Sequence, residues 1–101
     1  MSSAIHTGQA QSEFLAYMNR FGAAASAWYC GIASDPRDCL FNRHGVNEQQ
    51  GAWIYRDCGT DAAARAVEQY FHSLGCKGAS GGGGPGTRFL YAYVVTSTTR
   101  E

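Results

Sequence analysis

Between Trp28 and His44 the chain reads WYCGIASDPRDCLFNRH, and this stretch concentrates side chains able to do chemistry. Arg37 and Arg43 carry guanidinium forks that match the oxygen pair of a phosphate. His44 exchanges protons near neutral pH. Tyr29 offers a phenol that can donate and accept hydrogen bonds. Further on, Arg65, Glu68 and His72 recur at i, i+3 and i+7, one helical stripe. There Glu68 reads either as a hard oxygen ligand for Mg2+ or Mn2+, with waters completing the shell, or as part of a solvated ion-pair ladder. Cys39 and His44 combine a thiol with a base, but residues at i and i+5 do not face each other on an α-helix, so Cys39 reads as a half-buried small hydrophobe. Lys77 opens KGASGGGGPGT, where glycine amides can approach a phosphate closely. A Walker A loop needs its lysine after the glycines, so the bland reading of this segment is a flexible connection.

These residues need elements to position them. Ser12 is a good N-cap, and Phe14, Leu15, Met18 and Phe21 follow at helical spacing before Gly22, which predicts a first amphipathic helix after a loose terminus over residues 1–10. Trp28 to Ala33 predicts a strand. Asp35 and Pro36 open a second helix running to about His44, and Gly45 stops it. Ala52 to Asp57 predicts a second strand with Trp53 and Tyr55 on one face. Thr60 starts a third helix, with Ala64, Val67, Phe71 and Leu74 on its apolar stripe and Gly75 at its C-terminal cap. Residues 77–87 predict a glycine-rich loop. Arg88 to Thr96 gives the strongest strand pattern, Phe89, Tyr91, Tyr93 and Val95 alternating with Leu90, Ala92 and Val94. Both of its faces are partly apolar, so it belongs at the sheet centre. The expected architecture is α+β, one domain over residues 1–101, with a small three-stranded sheet flanked by helices.

Composition narrows the function classes. With 45% apolar and 13% aromatic residues, 101 residues are enough for one core and too few for two. Seven arginines and one lysine balance eight acids, so no global field draws the chain to a polyanion or an anionic membrane, and phosphate recognition must be local. No stretch approaches the roughly 20 apolar residues that span a bilayer, and Met1 to Gly8 has no signal-peptide pattern, which predicts a cytoplasmic protein without a membrane partner. Cys30, Cys39, Cys58 and Cys76 have no C-x-x-C spacing and read as thiols; a zinc module built on all four is the weakest of the functional readings.

The order of a Tyr-x-Gly strand, a tight turn and a short Asp-Pro helix resembles the second half of the GIY-YIG nuclease motif, over residues 28–74. The resemblance implies that Tyr29 and Gly31 correspond to the YIG element, that Glu68 is the metal-binding glutamate for Mg2+ or Mn2+, and that His44 lies near a family histidine or tyrosine. The family arginine falls on Cys39, and Arg43, one turn on, stands nearest to replace it. No Gly-Ile-Tyr strand precedes Tyr29, and no asparagine follows Asn47. Tyr91 and Tyr93 would fill the missing strand's place if the last strand paired beside Trp28 to Ala33, a permuted strand order.

On this reading the domain contacts nucleic acid, DNA ahead of RNA, through Arg37, Arg43 and Lys77. As a phosphodiesterase it would use Tyr29 or Tyr91 on the attacking water, Glu68 on the metal, and Arg43 with His44 at the phosphate. The competing reading is a non-catalytic module on the same scaffold that binds or inhibits a protein partner, which the neutral charge favours.

Overall fold

The computed structural model describes residues 7–22, 24–78 and 87–99. Helix α1 spans Thr7–Phe21, strand β1 Trp28–Ala33, a π-helix Asp38–Arg43, strand β2 Trp53–Asp57, helix α2 Asp61–Ser73 and strand β3 Phe89–Val94. A 3-10 turn at Ala25–Ala27 leads into β1. The sheet order is β1-β3-β2, both pairings antiparallel. β3 is therefore central, and it lies beside β1 with Tyr29 opposite Tyr93 and Gly31 opposite Tyr91.

Alternation along the strands divides the interior into two cores. Trp28, Cys30, Ile32, Ile54, Leu90 and Ala92 point to the face covered by α1 and α2, where they meet Phe14, Met18, Ala64, Val67 and Phe71. Phe14 and Phe71 join the two helices, ring centroids 5.8 Å apart. Across the sheet, Ala33, Tyr91 and Tyr93 meet Leu40 from the π-helix and Val46 beyond it, with Tyr29, Trp53 and Tyr55 packed at the margin. Every large aromatic at an odd position of β1, β2 or β3 thus faces the π-helix, while the even positions face α1 and α2.

The local signals explain most of the boundaries. Thr60 Oγ1 accepts from Ala63 N and caps α2, contributing about 1 kcal/mol. Asp35 Oδ1 accepts from Asp38 N at the start of the middle helix. Gly22, at φ +65°, ends α1, and Gly75, at φ +111°, turns the chain after α2. Two expectations are corrected. The first helix starts at Thr7, five residues before Ser12, because Ala10 is fully buried against the core and fixes an extra turn. Residues 7–10 are thus no loose terminus; the rest of that expectation concerns residues 1–6, outside those described. Leu74 is 45% exposed and off the apolar stripe, since α2 ends at Ser73. The glycine loop expected over 77–87 lies outside the described residues from 79 to 86; Lys77 makes a parallel bridge to Tyr29 along the outer edge of β1. Among the described residues, no helix is long and apolar enough to cross a membrane.

Candidate functional site

The middle helix is wound as a π-helix from Asp38, and that winding assembles the site. Its i to i+5 bonds place His44 N on Cys39 O at 2.9 Å, so residues five apart stack where an α-helix would separate them. Cys39 is, as expected, a half-buried small side chain packed against the core on this face of the sheet. That core cluster holds Tyr91, and His44 Nε2 lies 2.9 Å from the Tyr91 hydroxyl.

His44 is the hub. It is 9% exposed, and its second nitrogen, Nδ1, lies 3.0 Å from the Tyr93 hydroxyl. An imidazole bonded at both nitrogens has its ring plane fixed, and its tautomer follows from which phenol donates. Tyr29 covers the cluster, its ring nearly parallel to Tyr93 at 5.2 Å and 4.7 Å from the His44 ring. Burial pushes the Tyr91 phenol well above the usual tyrosine range, with the neighbouring Tyr29 adding to the effect. Tyr91 therefore stays a neutral hydroxyl that donates and accepts.

Beside Cys39 a pocket of about 230 Å³ opens between the end of β1 and the π-helix, lined among others by Ala33, Asp35, Asp38, Cys39, Arg43 and Thr87. Arg43 is well exposed and pairs with Asp38, Nε to Oδ2 3.1 Å. Hydrogen bonds from Asn42 and Arg43 hold the Asp38 carboxyl below its ordinary range. The charge at the mouth is therefore mixed, and an anion would have to displace Asp38 from the guanidinium.

The predicted site residues fall into two groups. Tyr29, His44 and Tyr91 come together, with Arg43 at the adjoining pocket. Tyr93 and Cys39 join them without having been assigned a chemical role from the sequence; for Tyr93 the signal was present, since it shares a strand face with Tyr91. Arg37 points away from the pocket to Glu48. Lys77 Nζ reaches the carbonyl of Ser26 at 2.6 Å beside the β1 edge.

Glu68 is separated from the tyrosines. It rides on α2, which packs on the opposite face of the sheet, one turn before His72, whose Nε2 lies 3.0 Å from Cys30 O. At 5% exposure it is no member of a solvated ladder. A divalent ion held by Glu68 does not fit a site shared with Tyr91, and among the described residues no three His, Cys, Asp or Glu side chains converge on a point suited to a metal. The cysteines divide similarly: Cys30, Cys58 and Cys76 lie in the helix-side core and Cys39 across the sheet, so all four do not surround one zinc.

Burial raises the Glu68 carboxyl above its ordinary 4.5, with His72 and Arg65 pulling it back. The folded chain thus binds this proton more tightly than the unfolded chain, and stability falls as pH climbs from 4.5 through the raised value. Glu68→Gln is accordingly expected to raise the thermal midpoint at about pH 8 and to lose that gain near pH 4. Melting curves of both proteins at the two pH values check this; a gain independent of pH would contradict it.

Comparison with known proteins finds no matching family model, no matching curated protein and no matching solved structure.

Proposed function

We propose that this domain contacts nucleic-acid phosphodiesters through a GIY-YIG-like site that retains its acid–base half and lacks most of its charge-neutralising half. The observation that supports the reading is the imidazole of His44 bonded to the hydroxyls of both Tyr91 and Tyr93, in a core against which Cys39, a lining residue of the pocket that carries Arg43, is packed. A phosphodiester at that pocket takes the Arg43 fork on its non-bridging oxygens. Tyr91 accepts a proton from the attacking water while passing its own to His44 Nε2. The oxygen of that water bonds to phosphorus as the bond to the leaving ester oxygen breaks; that oxygen departs with the bonding pair and takes a proton from solvent, and His44 later returns its extra proton to solvent through Tyr91. For this relay Nε2 must be the acceptor, so Nδ1 carries hydrogen and donates to Tyr93. Tyr29 acts by stacking rather than as the base, and no step is routed through a metal on Glu68.

The missing half concerns charge. Where the resemblance sets an arginine, this chain has Cys39, and losing one such donor typically costs about 10²–10³ in rate. The expected result is therefore salt-sensitive binding with slow cleavage. Cys39→Arg, which returns a guanidinium to the pocket beside Tyr91, is expected to raise nicking of supercoiled plasmid by about 10² or more, and Tyr91→Phe in that background to abolish the gain. Running the assay with and without Mg2+ checks the metal-free route. No nicking by Cys39→Arg, together with no binding at low salt, would sink the reading.

A protein partner is the second reading, favoured by the pairing of Arg37, Arg43, Arg56 and Arg88 with Glu48, Asp38, Glu13 and Asp57. Such a surface has no excess positive field to offer a polyanion.

A further inference from the structure

Four aromatic side chains outside the Tyr–His cluster form a continuous strip on the same face of the sheet. Phe41 meets Trp53 edge-on at 5.0 Å, Trp53 lies nearly parallel to Tyr55 at 6.0 Å, and Tyr55 meets Phe89 at 6.4 Å. All four are half-buried, each keeping part of its ring at the surface. Trp53 and Tyr55 belong to β2, an edge strand that, among the described residues, pairs on one side alone. A guanidinium caps each end: Arg37 Cζ is 5.0 Å from the Phe41 centroid and Arg88 Cζ 5.6 Å from that of Phe89.

We propose that Phe41, Trp53, Tyr55 and Phe89 form a stacking platform for the bases of single-stranded nucleic acid, with Arg37 and Arg88 receiving its phosphates. This rests on the proposed nucleic-acid reading and names the substrate class. Positive groups at both ends of an aromatic strip complement a strand whose bases and phosphates alternate, and base faces stack on aromatic rings only where the bases are unpaired. The platform is preorganised. Trp53 Nε1 donates to Glu48 O at 2.9 Å, which fixes the indole plane before any ligand arrives. Glu48 holds Arg37 in an exposed ion pair of the weak kind, so its exchange for a phosphate oxygen costs little, while Arg88 pairs with the more buried Asp57 and keeps an exposed guanidinium.

Fluorescence anisotropy with a labelled oligothymidylate and with a duplex of equal length tests the platform. The single strand is expected to bind about tenfold tighter than the duplex, Tyr55→Thr to lose roughly 5- to 100-fold on the single strand, and Arg88→Gln to lower the salt slope by about one. Threonine suits a strand, and Arg88 is exposed, so both variants keep the fold; circular dichroism verifies it. Equal affinity for single strand and duplex, untouched by Tyr55→Thr, would overturn the platform and leave the phosphate-contact reading standing. If neither oligonucleotide binds at low salt, both fall, and a protein becomes the occupant to seek.

Discussion

Gly31→Ala is expected to remove about 3 kcal/mol of stability, the upper end of overpacking costs, and to break the contact between Tyr91 and His44. A Cβ on Gly31 would stand 2.7 Å from the Tyr91 hydroxyl oxygen and 2.8 Å from Cζ, closer than carbon atoms approach. The reason for glycine here is space: its strand partner across the ladder is Tyr91, whose ring crosses over it to reach His44. Tyr91 is 4% exposed and hemmed in by Tyr29 and Leu40, so it cannot swing aside. Urea unfolding should show a lower midpoint with an unchanged slope, and the thermal midpoint should drop by roughly 10–20 °C. Pairing Gly31→Ala with Tyr91→Leu removes the clashing ring, so the double variant should be more stable than the sum of the single effects predicts. Strict additivity would show that the glycine answers to something other than the tyrosine.

The close approach of Gly31 and Tyr91 depends on strand pairing, and only part of that pairing is legible in the chain itself. The centrality of β3 was legible because period-two alternation with apolar residues on both faces suits a strand flanked and covered on both sides, and Tyr91 and Tyr93 announced their common face by spacing. β3 does pair with β1, the placement on which a permuted strand order was conditional, though alternation alone does not choose β3's neighbours. Glu68, by contrast, was legible as helical and not as buried on the far side of the sheet from the tyrosines, because a polar residue one step from an apolar stripe carries no sign of which way the helix is rolled. The start of α1 is hidden for a related reason: Ala10 is a weak hydrophobic signal but fills a place in the core.

The π-helix decides the site, and no sequence pattern announces it. A period of 3.6 sets Cys39 and His44 on different sides of a helix, whereas the π winding bonds His44 N to Cys39 O and turns His44 toward the tyrosines. The three-centre contact among His44, Tyr91 and Tyr93 joins residues 47 and 49 positions apart, which no local periodicity can encode. The chemistry-bearing residue types were visible, and their convergence was a tertiary fact.

His44→Leu is the companion prediction, at about 3 kcal/mol of lost stability, because it removes two buried hydrogen bonds at about 1.5 kcal/mol each. The informative measurement is the background in which the change is made. With Tyr91→Phe and Tyr93→Phe already present, neither hydroxyl remains to lose its imidazole bond, and an apolar leucine then joins rings of almost unchanged shape. His44→Leu should therefore cost less than half as much there as in the wild-type chain. Tyr93→Phe alone separates structure from chemistry. It removes only the partner of Nδ1, leaving Nε2 on Tyr91, so the tautomer is no longer held with hydrogen on Nδ1. In the Cys39→Arg background it should slow nicking by about tenfold or more while leaving affinity for nucleic acid unchanged, the expected mark of a positioning residue. Equal losses of binding and nicking would assign Tyr93 to packing alone. A cost for His44→Leu that stays the same in both backgrounds would mean that the imidazole contributes by filling volume, and the relay built on it would have no physical footing.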